Sequence, residues 1–135
     1  MTTPFDNPKA ELAWMCLQCL CMDGDIDEGF ALLRADFTYW SILTRTTLDK
    51  PTFRREIEKC RSHVQMNLEL IGCLNDGNSV AIEAQGNGVT TEGTHYDSPY
   101  MFLFETEDGL IVSMREYSDT RLTAQVFPDS LQGQH

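Results

Sequence analysis

Between Leu68 and Tyr117 the chain shows one pattern four times: an extended, largely apolar stretch followed or preceded by a short polar turn. The stretches are LELIGCL (68–74), SVAIEAQG (79–86), THYDSPYMFLFET (94–106) and GLIVSMREY (109–117). NDGN, TEG and EDG separate them and supply the Gly, Asn and Asp that tight hairpins require. Strands joined by turns this short run antiparallel, which commits the C-terminal half to consecutive hairpins. QGNG (85–88) predicts a turn or a bulge in the second strand. Pro99 predicts a bulge or an edge in the third, because proline has no N–H to give to a ladder.

The N-terminal half is spaced for helices instead. Residues Pro8 to Met22 form the first, with Asp6 or Asn7 as cap and Pro8 in the first turn, where a missing N–H costs nothing. Leu12, Met15, Cys16, Cys19 and Leu20 make its apolar stripe. DIDEGFALLRAD (25–36) holds a short second helix, with Asp25, Asp27 and Glu28 at its positive end. A calcium loop starting at Asp23 would need Gly and Glu where the chain has Glu28 and Arg34, so that reading fails. FTYW (37–40) is a short strand, and Asp49 to Met66 a third helix burying Phe53, Ile57, Cys60 and Val64. Helices first and a hairpin sheet after them predict an α+β domain over residues 1–135. Three helices would cover one face of a curved sheet, making a cone with a pocket at its mouth.

A formal charge of −11 opposes binding to nucleic acid or anionic membranes, which need Lys and Arg to displace counterions. No apolar run approaches the roughly 18 residues of a membrane span. MTTPFDNPKAE lacks the basic start and apolar run of a secretory signal, which predicts a soluble, cytoplasmic protein. Of five cysteines, Cys16, Cys19 and Cys21 cluster while Cys60 and Cys73 stand apart. Neither a second pair nor histidines at ligand spacing accompany the cluster, so the thiols are expected reduced, with no metal and no cofactor.

THYDSPYMFLFETEDGLIVSMREYSDT resembles the pattern of the SnoaL-like polyketide cyclases and the wider ketosteroid isomerase-like superfamily. There a Tyr-x-x-x-Tyr strand leads through an acidic-Gly turn into a strand ending Arg-(Asp/Glu)-(Tyr/Trp)-x-Asp. Tyr96, Tyr100, Phe102, Asp108, Gly109, Arg115, Glu116, Tyr117 and Asp119 carry the match. The resemblance implies a pocket carboxylate at Glu116, where the cyclases and the related limonene epoxide hydrolases have a catalytic aspartate. The cyclases' pocket histidine is replaced by Phe102, and the hydrolases' Arg-x-Asp pair by Glu83 and Gln85.

Strand alternation puts Leu110, Val112, Met114 and Glu116 on one face and Ile111, Ser113, Arg115 and Tyr117 on the other. Glu116 thus ends an apolar face, where lost hydration raises a carboxyl pKa toward the range useful for proton transfer. Alternation sends Glu83 and Gln85 to solvent, whereas the resemblance sends that side to the pocket. The expectation is a cofactor-independent isomerase, cyclase or hydrolase acting on an apolar cyclic molecule. Glu116 moves the proton, Glu83 or Gln85 orients a water, and Tyr39 or Tyr100 donates a hydrogen bond. Trp40, Phe102, Phe104 and Met114 wall the pocket. The alternative is a non-catalytic binding or association module on the same fold. A homodimer is expected through an outer sheet face carrying Val80, Ile82, Met101, Leu103, Ile111 and Tyr117.

Overall fold

A computed structural model describes residues 6–21 and 24–127. Asn7 caps α1 (Pro8–Leu20), its side chain accepting the Lys9 N–H at 2.8 Å. Asp25 caps α2 (Ile26–Ala31), and Asp49 caps α3 (Lys50–His63) through the Thr52 N–H at 3.0 Å. The strands are β1 (Leu33–Ser41), β2 (Thr47–Asp49), β3 (Val64–Asp76), β4 (Ser79–Thr90), β5 (His95–Glu107) and β6 (Leu110–Ser118). They form one sheet in the order β2-β1-β6-β5-β4-β3, antiparallel except where β1 runs parallel to β6. A fourth helix, α4 (Thr120–Val126), follows β6 and is capped by Asp119. The class is therefore α+β, with helices on a curved sheet, as the element order implied.

Four local outcomes shape the site. The third helix stops at His63 rather than Met66, because Val64 to Leu68 pair with the far half of β4. QGNG makes neither turn nor bulge: β4 runs straight through it. A Cβ on Gly86 would lie 2.7 Å from the Tyr100 ring and 2.9 Å from the Met66 sulfur, so glycine is needed for side chains to cross the strand. Pro99 keeps the alternation of β5 and sits beyond the last β6 partner, Ser118 opposite Tyr100. The missing N–H therefore falls where the strand is locally an edge.

The bulges lie instead at Ile71 in β3 and Val112 in β6. The second changes the phase expected for β6: Ile111 joins Met114 and Glu116 on the inner face, and Ile111 is fully buried. Val80 and Ile82 are also fully buried, so the dimer patch expected from these three residues does not exist. They belong to the core with Phe37, Phe53 and Phe104. In α1 the buried face centres on Ala13, Trp14 and Leu17, leaving Met15 exposed. Among the described residues no helix is long and apolar enough to cross a membrane.

Candidate functional site

The inner face of the sheet and helices α1, α3 and α4 enclose a cavity of about 260 Å³. Its apolar wall comes from Leu17 and Leu20 of α1, Phe53 and Ile57 of α3, Met66 of β3, Phe102 of β5 and Met114 of β6. A second hollow of about 410 Å³, edged by Gln18, Asp25 and Glu28, is the more open of the two. The less open cavity is the one that holds a desolvated acid, and this decides between them.

That acid is Glu116. It lies beside Ser41 of β1 and Phe102 of β5 in the sheet register, with its side chain in the cavity. Desolvation pushes its carboxyl up to about 7, and a hydrogen bond from Tyr39 moderates the rise. Arg115 does not neutralise it, because adjacent strand residues point to opposite sides. Its guanidinium lies on the outer face, 4.4 Å from the centre of the Trp40 ring. Burial, and then the Glu116 charge, raise the phenol pKa values of both Tyr39 and Tyr100. Burial of its sulfur and then the Glu116 charge push the Cys60 thiol up to about 11, although the residue as a whole is exposed and not in the buried stripe expected of α3. Glu116 is the electrostatic centre of the cavity.

Two hydrogen-bond chains serve this centre. On the β1 side the Ser41 hydroxyl accepts the Leu43 N–H at 3.1 Å and bonds to Tyr39, which bonds to Glu116. On the β5 side Tyr100 donates to Tyr96 at 3.2 Å, and Tyr96 lies 2.6 Å from the Thr123 hydroxyl. Thr123 in turn donates to the Asp119 carbonyl at 3.1 Å. This second chain runs from the cavity into the first turn of α4. Among the described residues no three His, Cys, Asp or Glu side chains are grouped to hold a metal ion.

A family model described as a SnoaL-like domain matches residues 18–114. The chain belongs to the SnoaL-like family. No curated protein sequence matches it. Solved structures with the same fold include a protein assigned as a polyketide cyclase from Pseudomonas putida. It has a TM-score of 0.76 and 20% identity over 87% of this chain and 96% of that one. An LEH-like epoxide hydrolase from M. tuberculosis superposes with a TM-score of 0.73 and 19% identity, over 90% and 96% of the two chains. An NTF2-like protein from Burkholderia xenovorans gives 0.74 and 15%, over 87% and 94%. At these identities the likeness establishes the fold alone.

Of the residues the sequence put forward, this SnoaL-like domain brings Glu116, Tyr39, Tyr100, Phe102 and Met114 to the cavity. Phe104 lies deeper, fully buried in the core beside Phe102. Trp40, Glu83 and Gln85 are elsewhere. Tyr39 and Trp40 are adjacent on a strand, so they cannot both face inward, and Trp40 packs on Tyr117 and Arg115 outside. Glu83 is exposed opposite Met101, and Gln85 bonds to the Gly86 carbonyl on the same outer side. Alternation was the correct guide there, because Val80, Ile82 and Ala84 take the inner face. Ser41, Cys60, Tyr96 and Thr123 are among the cavity residues not singled out for roles, as are Lys59, Arg61 and His63 at the end of α3. Tyr96 had a usable signal: it stands four residues before Tyr100, hence on the same strand face.

Proposed function

We propose that the protein is a cofactor-independent acid–base enzyme that isomerises, cyclises or hydrolyses an apolar, ring-bearing small molecule held in the cone. One observation carries this reading: a carboxyl poised at about 7 stands in an aromatic-walled cavity with a tyrosine as its hydrogen-bond partner. Near neutral pH such a group is populated both as acid and as base, which is what proton transfer to and from a bound carbon acid or oxygen requires. The neighbouring structures assigned to polyketide cyclisation and epoxide hydrolysis are consistent with that chemistry without choosing between them.

A second reading, a binding module without catalysis, is favoured by the outward placement of Glu83 and Gln85, which removes the water-orienting pair. The test is turnover of cyclic ketones, epoxides and lactones by the wild type and by Glu116→Gln. Loss of at least about a hundredfold in the variant is expected from removing a positioned proton carrier. Ligand binding with no turnover, or turnover unaffected by the substitution, sinks the enzyme assignment.

A further inference from the structure

The hydrogen bonds around the cavity have a direction, and it limits what a ligand can offer. A carbonyl only accepts, so the Thr123 hydroxyl proton goes to Asp119. The contact between Thr123 and Tyr96 is then made by the Tyr96 proton, and the contact between Tyr96 and Tyr100 by the Tyr100 proton. Tyr100 spends its only O–H on Tyr96, its neighbour in the cavity wall, leaving its oxygen to a ligand as an acceptor. On the opposite wall the Tyr39 proton is engaged by Glu116. Once Glu116 is ionised, its carboxylate and the Tyr100 oxygen therefore face a ligand as two acceptors, while the donors Lys59, Arg61 and His63 belong to the end of α3.

We infer that the ligand presents a hydrogen-bond donor, a hydroxyl or a protonated amine, on an apolar ring frame, and that Tyr100 selects for it. A ketone or ether of the same shape would set its own acceptor against two others. This inference rests on the reading of the cone as an apolar-ligand pocket. It goes further by naming the polar group the ligand brings. Tyr96 and Thr123 are positioning residues: they act through Tyr100, by keeping its proton engaged.

Three probes with one bicyclic frame test it: borneol, bornylamine and camphor. Binding is measured by calorimetry at about pH 8.5, where Glu116 is charged. The alcohol or the amine is expected to bind at least about tenfold more tightly than the ketone, and the tighter of the two tells which donor is preferred. Tyr96→Phe removes the acceptor of the Tyr100 proton. Thr123→Val frees the Tyr96 proton, which can turn to Tyr100 and release the Tyr100 proton in the same way. Either variant should lower the donor-to-ketone affinity ratio at least about threefold, whereas general damage to the fold weakens all three probes together. Tyr100→Phe should weaken the donor probes and spare camphor. Camphor binding as well as its partners, or a ratio that neither variant moves, overturns the inference and leaves the pocket reading standing. If no probe binds the wild type, the pocket reading falls and this inference with it.

Discussion

Glu116→Gln should stabilise the protein, and only away from acidic pH. The Glu116 carboxyl is raised from 4.5 to about 7 by burial. A carboxyl whose folded pKa lies above its unfolded one binds its proton more tightly in the native state. The native state is therefore unpenalised below the unfolded pKa, and it loses stability as pH rises from there through the folded value. At about 1.4 kcal/mol per pKa unit, the penalty above neutrality is on the order of 3 kcal/mol. Glutamine keeps the shape, still accepts from Tyr39 and carries no charge to desolvate. Urea unfolding of both proteins at about pH 5 and pH 8 reads the effect, because the other carboxylates cancel in the comparison. At the higher pH the variant should be more stable by roughly 2–3 kcal/mol, and at the lower pH by less than about 1. Equal midpoints at pH 8, or a gap independent of pH, would refute the reasoning. Glu116 would then be solvated, or paired with a cation.

Gly86→Ala should cost about 1–3 kcal/mol and weaken ligand binding, since the new methyl group must push the Tyr100 ring or Met66 into the cavity; thermal melts and probe titrations check both. Tyr39→Phe removes the hydrogen bond that holds the Glu116 pKa down, so the acidic limb of any pH–rate profile should move to higher pH; an unmoved limb argues against the contact. A homodimer is still expected through the outer sheet face, now reduced to Met101, Leu103 and Tyr117 with Trp40 beside them. Light scattering should find twice the chain mass, and Met101→Lys should shift it to monomer; a wild-type monomer at high micromolar concentration removes the expectation.

What was legible in the sequence followed strand period and turn chemistry. Asp108 and Gly109 both adopt positive φ, 52° and 79°, as an Asp-Gly hairpin requires, and the β5–β6 pairing follows. Glu116 is inside because Met114 is inside, and that two-residue step is unaffected by the bulge before it. The bulge itself was not legible: Val112 is an ordinary strand residue, so counting alternation from Leu110 put Ile111 on the wrong face. Glu83 and Gln85 show that a family pattern does not carry a residue inward when the local alternation opposes it. Helix α4 is a single short segment held by its Asp119 cap and by Thr123 against Tyr96, a contact 27 residues apart that no periodicity reports. The same applies to Val64 through Met66, whose strand exists because the far half of β4 needs a partner.

A desolvated carboxyl near neutrality, that of the half-buried Glu116, stands in the cone. Carbon-13 NMR titration of the glutamate side-chain carboxyls measures it directly, with Glu116→Gln identifying the resonance by its absence. A Glu116 midpoint at about 7 is the predicted result. A midpoint near the ordinary 4.5 would mean a solvated or ion-paired carboxylate, and would contradict both the proposed chemistry and the stability shift.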